Sequence, residues 1–351
     1  MKVLMWPYWP NNPYQILLSQ ALKDEGLEII HLSDKTLEAL TKETTDVIHF
    51  HALYPLFLEP SRLKTWRRVA ASLFQIALLK QKGRVIVWTA HDLKNHDNKQ
   101  ILVDRVFRFL FARLCDKIIV HSTEAKHQLS KTFKLSSKAN ISVIEHGHFI
   151  DYYSNEIKPE NAREFLNIAA NEFLFLFLGL IRPYKGIPQL LKSFKELIHQ
   201  GNSVSANIII AGKPCEEALL EEIHQMAKDV PSIKIHAKFV PDEEIQAYMN
   251  ACDVVVLPYL DIFTSGSAVL AMSFAKPCIT PNIGCMKDLI GEAGGYLYDA
   301  GNPEALKESM QTALENKQLL PEMGEKNYQK IKQMTWRHVA ELTVNVYKSC
   351  K

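Results

Sequence analysis

Short apolar runs alternate with longer segments of helical periodicity along the whole chain. Most positions within the runs are Val, Ile, Leu or Phe, which is typical of strands buried on both faces of a parallel sheet. The clearest runs are Val85–Thr89, Lys117–Val120, 173–179 and Ala206–Ala211. The segments between them repeat apolar residues every three or four positions, as helices with one buried face do. This alternation predicts an α/β protein built from doubly wound parallel sheets.

The alternation breaks around residues 151–170, where polar and turn-favouring residues predominate. A chain of 351 residues is long enough for two domains, and it contains more strand-like runs than one sheet comfortably holds. We therefore expect two Rossmann-like domains that face a cleft, one over residues 1–165 and one over residues 166–334. A C-terminal helix near residues 335–351 is expected to pack back on the first domain. Ligands of such sheets bind at the carboxyl ends of the strands.

Composition narrows the class of protein. With 47% hydrophobic and 23% charged residues and a net charge of +2, the chain is an ordinary globular protein and neither disordered nor collagenous. The six cysteines have no metal-binding spacing, which indicates reduced thiols in a cytosolic protein. The longest apolar stretch, residues 173–181, is far shorter than the roughly 20 residues that span a bilayer. The apolar run at the N-terminus is too short for a signal peptide, so we expect a cytoplasmic protein.

Positive charge is concentrated in one part of the chain. Residues 1–170 contain 23 Lys and Arg against 18 Asp and Glu, and within residues 60–138 the counts are 17 and 5. Basic residues mixed with Trp, Leu and Phe at helical spacing can lie on the inner face of an anionic membrane or attract a diphosphate-linked acceptor. Solvated faces of ordinary domain helices give the same pattern. No nucleic-acid-reading motif accompanies the basic residues, so we expect no nucleic-acid partner.

A first candidate site follows the run at residues 173–179. The strand is expected to end at Gly179, a short loop carries Arg182 and Lys185, and a helix is expected to begin near Ile187. Two cations between a strand end and a helix N-terminus favour an anion, because free backbone N–H groups and the helix dipole add to their charge. Arginine can clamp two phosphate oxygens, whereas lysine supplies a point charge. The loop therefore predicts a diphosphate site.

A second candidate site follows the apolar run at residues 253–258. The turn at residues 264–267, Thr-Ser-Gly-Ser, precedes a helix rich in Ala, Met and Leu. Small hydroxyl residues and glycine at a helix start offer N–H and O–H donors to a phosphate. The same residues are also common N-caps without any ligand.

Together the two segments resemble the retaining nucleotide-sugar glycosyltransferases of family 4, which have the GT-B fold. The similarity extends over nearly the whole chain, and the motifs that carry it include Trp88-Thr-Ala-His-Asp, Asp116-Lys-Ile-Ile-Val-His-Ser, Val143-Ile-Glu-His-Gly and the loop from Gly179 to Gly186. The resemblance implies that Arg182 and Lys185 hold the donor diphosphate and that His91 lies beside the sugar, so these three residues are assigned as catalytic.

The resemblance also implies a donor site and an acceptor site. The donor-binding residues that we expect are Gly179, Arg182, Lys185, Val240, Asp261, Thr264, Ser265, Gly266 and Ser267. The acceptor-binding residues that we expect are Tyr8, Trp9, Asn12, His51 and His91. No cofactor is expected.

The chain departs from the family pattern in two places. The family's pair of glutamates would fall at Ile262 and Leu270, so the usual carboxylate contacts to the sugar and ribose are missing, and the neighbouring Asp261 is the candidate substitute. The family's Gly-Gly loop is replaced by an aromatic loop around Tyr8 and Trp9, which either stacks on sugar faces or packs within the protein. In this loop Asn12 is expected to cap a helix that begins at Pro13.

Histidines occur near several predicted strand ends, including His49, His51, His91, His146 and His148. Such a set could bind a metal, but hydrogen-bonded loop histidines are commoner, and we expect no metal site. Without an Asp-x-Asp pair, the leaving diphosphate would be neutralised by Arg182, Lys185 and helix N-termini alone.

The sequence therefore predicts a retaining, metal-independent transferase. It would move a hexosyl group from a UDP- or GDP-linked sugar to a glycan or lipid-linked acceptor. Two alternatives remain: a partner subunit that binds a nucleotide sugar without turnover, and a metal-dependent hydrolase built on the histidine pairs. A NAD-dependent dehydrogenase is disfavoured because no GxGxxG motif follows any predicted strand.

Overall fold

The computed structural model describes residues 1–32, 36, 38–95, 100–136, 140–199 and 205–350. Residues 96–99 and 137–138 of the basic segment, and residue 351 of the expected C-terminal helix, lie outside the described residues. The chain divides into two compact units, an N-terminal unit of Met1–Gly147 with Met334–Lys351 and a C-terminal unit of His148–Gln333.

The N-terminal unit is built around one parallel sheet. Its strands are β1 (Lys2–Trp6), β2 (Glu28–His31), β3 (Val47–Phe50), β4 (Val85–Thr89), β5 (Lys117–Val120) and β6 (Ile141–Val143). They are paired in the order β2-β1-β3-β4-β5-β6. Its helices are α1 (Pro13–Asp24), α2 (Ala39–Lys42), α3 (Tyr54–Phe57), α4 (Arg62–Gln81), α5 (Ile101–Leu114) and α6 (Thr123–Thr132). In the register, Val3 of β1 is paired with Val47 of β3, which in turn is paired with Val85 of β4.

The C-terminal unit repeats this plan. Its strands are β7 (Phe173–Leu178), β8 (Ala206–Ala211), β9 (Ile233–His236), β10 (Val254–Val256), β11 (Cys278–Pro281) and β12 (Gly295–Tyr298), which are paired in parallel in the order β12-β11-β10-β7-β8-β9. Its helices are α7 (Pro159–Phe165), α8 (Ile187–His199), α9 (Glu217–Ala227), α10 (Asp242–Ala251), α11 (Gly266–Ser273), α12 (Met286–Leu289), α13 (Ala305–Glu315) and α14 (Leu320–Ile331), with 3-10 turns at Pro183–Lys185 and Lys317–Leu319. Two Rossmann-like parallel sheets confirm the expected fold class.

The local structure follows from the residues that the sequence provides. All six residues of β7 are buried, as expected for a central strand of a sheet covered on both faces. At α1, the Asn12 side chain accepts a hydrogen bond from the Gln15 backbone N–H, and Pro13 occupies the first helical turn, which confirms the expected cap. The helix expected near Ile187 begins at that residue.

The boundary between the units lies at Gly147, earlier than the boundary expected near residue 165. The segment between these positions packs on the C-terminal unit because α7 lies against α10. Arg163 of α7 forms an ion pair of 2.8 Å with Asp253, and the Gln246 side chain accepts a hydrogen bond from the Glu156 backbone.

The last helix, α15 (Trp336–Lys348), belongs to the N-terminal unit and packs on α1. Its Tyr347 hydroxyl lies 2.7 Å from His49 Nδ1, and His49 Nε2 lies 2.7 Å from the Thr89 hydroxyl. A buried polar chain therefore joins α15 to β3 and β4. In the part of the chain that the structure describes, no helix is long and apolar enough to cross a bilayer.

Candidate functional site

The carboxyl edge of the C-terminal sheet begins with two glycines that approach each other closely. Gly179 follows β7 and Gly212 follows β8, and their φ angles of +149° and +150° are rare for residues with a side chain. A Cβ atom on Gly212 would lie 1.8 Å from the Gly179 carbonyl oxygen. A Cβ atom on Gly179 would lie 3.1 Å from the Ser267 hydroxyl, so the end of β7 directly adjoins the first turn of α11.

Lys185 is buried at this edge, although it is a cation. It ends the 3-10 turn Pro183–Lys185, and only 8% of the residue is exposed. Its Nζ atom lies 3.3 Å from the Tyr259 hydroxyl and 4.4 Å from the centre of the Tyr259 ring. Burial lowers the pKa of Lys185, the Arg182 charge lowers it further, and Tyr184 raises it. No carboxylate among the described residues pairs with Lys185, so its charge is available to an anion.

Arg182 directly precedes the same turn and is partly exposed. Its Nε atom donates to the Cys215 sulfur at 3.3 Å. Because Arg182 and Lys185 are close enough for their charges to interact, the turn presents two cations to one region. Gly186, which closes the turn with φ of +70°, fits tightly: a Cβ atom there would lie 1.9 Å from the Pro258 carbonyl oxygen.

The N-terminus of α11 lies at the same edge of the sheet as Gly179, Arg182 and Lys185. The Ser265 hydroxyl caps the helix by accepting from the Ala268 N–H at 3.1 Å, and it lies 2.8 Å from the Tyr259 hydroxyl. Gly266 is exposed, and a Cβ atom there would have open space around it. The helix begins at Gly266, so Gly266 and Ser267 lie in its first turn and not in the preceding loop as expected. Two cations, a helix N-terminus and a strand-end glycine are thus brought together, an arrangement suited to a diphosphate.

The remaining expected donor residues lie around this group. Thr264 is partly buried and Asp261 is exposed in the loop that leads to α11. Val240 is buried in the loop between β9 and α10, at the same carboxyl edge. The two positions without glutamate, Ile262 and Leu270, are both buried.

In the N-terminal unit, imidazole rings gather around the buried ring of Tyr14. They lie at the carboxyl ends of four neighbouring strands, β3 to β6. Their centres are 5.9, 4.8, 5.4 and 4.9 Å from the Tyr14 ring for His51, His91, His121 and His146 respectively. The Trp336 ring of α15 lies 5.3 Å away. We call Tyr14, His51, His91, His121 and His146 the histidine cluster.

Burial keeps the histidine cluster uncharged. Desolvation lowers the pKa of His121 to about 4 and that of His146 to about 3, and it lowers those of His51 and His91 well below the usual value. His121 Nδ1 lies 2.8 Å from the Ile144 carbonyl oxygen, so a neutral ring carries its proton there and keeps a lone pair on Nε2. Neutral imidazoles of this kind accept hydrogen bonds from hydroxyl groups. Within the described ranges, no group of three or more His, Cys, Asp or Glu residues is arranged to hold a metal ion.

A buried ion network supports the loop that carries His91. Arg108 of α5 is 1% exposed and pairs with Asp104 at 2.9 Å and with Asp92, the residue after His91. It also donates to the Asp92 carbonyl oxygen at 3.1 Å. A buried guanidinium with these partners fixes the backbone next to His91.

The two aromatic rings of the expected acceptor site pack against other rings of the N-terminal unit. The Tyr8 ring stacks on His31 with centres 3.8 Å apart, and the Trp9 ring stacks on Tyr54 at 6.4 Å. Asn12 caps α1, whose second residue is Tyr14 of the histidine cluster.

Four residues of these two groups were not predicted as donor- or acceptor-binding residues: Tyr14, His121, His146 and Tyr259. His121 has the signal that singled out His91, since it directly follows a Val and Ile strand. Tyr14 and Tyr259 carry no such signal, because their roles come from contacts with distant parts of the chain.

Comparison with known proteins identifies the class. Residues 158–330, nearly the whole C-terminal unit, match the family model described as glycosyl transferases group 1. The chain is 25% identical over 335 residues to a GDP-mannose:glycolipid 4-beta-D-mannosyltransferase of Xanthomonas campestris pv. campestris, covering 94% of this chain and 88% of that protein.

Solved structures agree on the fold. Sucrose-phosphate synthase from Thermosynechococcus elongatus superimposes with a TM-score of 0.79 at 16% identity, covering 99% of this chain and 98% of that chain. Anabaena Alr3699/HepE in complex with UDP-glucose gives 0.74 at 18% identity, covering 99% and 100%. The protein is therefore a glycosyltransferase with the GT-B fold, and the greater part of its C-terminal unit matches the group 1 glycosyltransferase model.

Proposed function

We propose that the protein transfers a hexosyl group from a UDP- or GDP-linked sugar to a hydroxyl of a glycan or lipid-linked acceptor, in polysaccharide or glycoconjugate biosynthesis. The observation that carries the proposal is the buried Lys185, which no described carboxylate neutralises, beside Arg182 and the N-terminus of α11. In this role Arg182 clamps phosphate oxygens and Lys185 supplies a point charge.

The same residues account for the leaving group. As the bond between the sugar C1 and the diphosphate oxygen breaks, negative charge grows on that oxygen. Arg182, Lys185 and the N–H groups of Gly266 and Ser267 are already in place to stabilise it, so we propose a reaction without a metal ion. Asp261 is our candidate for the carboxylate contact to donor hydroxyls that Ile262 and Leu270 cannot make.

We propose that the histidine cluster binds the acceptor. Its neutral rings suit hydroxyl groups, and the fixed backbone after His91 supports a role for this side chain in positioning the reacting sugar. In the retaining reaction implied by the family resemblance, the acceptor oxygen bonds to C1 on the face that the diphosphate leaves. The departing phosphate oxygen takes the acceptor proton.

Inversion is a second candidate outcome, and one observation favours it. The Xanthomonas relative is named for a β-linked product. A β-mannoside formed from an α-linked donor would be an inverted product, and a neutral imidazole of the histidine cluster would then take the acceptor proton. The anomeric configuration of the first product, read by NMR, separates the two outcomes.

The exposed surface of α4 and α5 supports the proposal that the enzyme works at the inner, anionic face of a membrane. Leu63, Trp66 and Phe74 of α4 are 62%, 41% and 67% exposed, and Leu102 of α5 is 70% exposed. Basic side chains are interspersed with them on α4, namely the exposed Arg62, Lys64 and Arg67. Apolar side chains flanked by cations suit the headgroup region of an anionic bilayer. A lipid-linked acceptor would be presented there.

A screen of UDP- and GDP-sugars tests the proposed function. We expect one of them to raise the melting temperature of the protein and to be hydrolysed slowly without acceptor. Adding lipid-linked acceptors should accelerate release of the nucleoside diphosphate. Binding without turnover for every acceptor would favour the partner-subunit alternative, and binding of no nucleotide sugar would contradict the proposal.

A further inference from the structure

Tyr259 lies between Lys185 and the N-terminus of α11, which are two parts of the proposed diphosphate site in the C-terminal unit. Only 1% of the residue is exposed. On one side its hydroxyl lies 3.3 Å from Lys185 Nζ, and on the other it lies 2.8 Å from Ser265 Oγ. The hydroxyl therefore links the buried cation to the cap of α11.

Either Tyr259 or Ser265 can be the donor across their contact, and Ser267 is a second hydrogen-bond partner of the phenol. The donor and acceptor capacities of the groups allow the following direction. An ammonium has only donors, so Lys185 donates to the Tyr259 oxygen. Burial keeps the phenol protonated by raising the pKa of Tyr259. Ser265 Oγ already accepts from the Ala268 N–H and has a second lone pair for the phenol proton. In this arrangement the Ser265 hydroxyl proton remains available to another acceptor.

We propose that Tyr259 is a positioning residue for diphosphate binding: it accepts from Lys185 and donates to Ser265, so that the Ser265 O–H is held as a donor to a phosphate oxygen. This inference rests on the proposed function. In addition to the cations and the backbone amides, the Ser265 hydroxyl would then donate to the phosphate. Its orientation would depend on Tyr259, which does not itself bind the phosphate. Without the phenol hydroxyl, Lys185 loses an acceptor and Ser265 is free to turn.

Tyr259→Phe tests the proposal because it keeps the buried ring and removes only the hydroxyl. The matched control is Tyr248→Phe, another tyrosine of the same unit that is 1% exposed and whose hydroxyl is bonded, here to His236 at 2.9 Å. Binding of GDP and UDP is measured by calorimetry, with guanosine and uridine as ligands that lack the diphosphate.

We expect the wild type to bind at least one of the two diphosphates more tightly than its nucleoside. Tyr259→Phe should weaken diphosphate binding about tenfold and leave nucleoside binding unchanged, whereas Tyr248→Phe should change neither.

A substitution at Ser265 provides a second, independent measurement. Ser265→Ala removes the hydroxyl and should weaken diphosphate binding while leaving nucleoside binding unchanged. If Tyr259 acts only by orienting the Ser265 hydroxyl, the double variant Tyr259→Phe with Ser265→Ala should bind the diphosphate almost as well as Ser265→Ala alone.

Three results would overturn the inference: unchanged diphosphate binding in Tyr259→Phe, equal losses for diphosphate and nucleoside, or additive losses in the double variant. A wild type that binds neither diphosphate would overturn the proposed function, and this inference with it. The two failures are therefore distinguishable.

Discussion

His51 Nδ1 lies 3.3 Å from His91 Nε2, across the carboxyl ends of the adjacent strands β3 and β4. Only one proton fits between the two nitrogens, so the contact requires at least one ring to be neutral on that side. The Nε2 atoms of His51 and His121 are buried and have no hydrogen-bond partner among the described residues. The N-terminal unit therefore maintains a cluster of uncharged imidazoles.

This cluster predicts a loss of stability in acid. Burial lowers the pKa of His121 to about 4 and that of His146 to about 3, and it lowers the pKa of the neighbouring His49 to about 3, against 6.5 in the unfolded chain. Between pH 6.5 and 4 the unfolded state binds more protons, so the free energy of unfolding falls as the pH falls. Each such histidine contributes at most about 1.4 kcal/mol per pH unit.

Urea unfolding between pH 7.5 and 4.5 measures this slope. His121→Asn should reduce the slope of unfolding free energy against pH by up to about 1.4 kcal/mol per pH unit, the contribution of one proton. His338→Asn, at a 60% exposed side chain on α15, should leave the slope unchanged. Equal slopes in the wild type and His121→Asn would contradict the neutral cluster.

The turn that carries Lys185 depends on Gly186. Gly186→Ala places a methyl group 1.9 Å from the Pro258 carbonyl oxygen, and the matched Gly26→Ala places one at a similar φ in open space. We expect Gly26→Ala to cost about 1 kcal/mol of unfolding free energy and Gly186→Ala about 2 kcal/mol more. Urea unfolding measures both, and equal losses would show that the turn is not held against Pro258.

The exposed face of α4 is expected to bind anionic vesicles. Phe74→Ser and Trp66→Ser should each weaken co-sedimentation with phosphatidylglycerol vesicles about tenfold, since each removes apolar surface that enters the headgroup region. Phe165→Ser is the control, because Phe165 is 58% exposed on the C-terminal unit. The membrane proposal would be contradicted if all three variants bound anionic vesicles equally well. It would also be contradicted if the wild type bound neutral and anionic vesicles equally well.

The sequence predicted what local patterns determine. The buried run of β7, the cap at Asn12 and the start of α8 at Ile187 depend on residues close together in the chain. The histidine cluster depends on the order of β3 to β6, which periodicity does not reveal. Tyr259 meets Lys185 across 74 positions. Such contacts follow from topology, and the sequence alone could identify only the loops on which they lie.

The central claim is that the charges of Arg182 and Lys185 hold the diphosphate of a nucleotide sugar during transfer. Steady-state transfer from the UDP- or GDP-sugar selected by the screen tests it most directly, with Arg182→Ala, Lys185→Ala and the control Lys192→Ala at a 72% exposed lysine of α8. Circular dichroism establishes that each variant is folded. We predict that the first two variants lose transfer and that Lys192→Ala retains it. Full transfer by both folded variants would contradict the account.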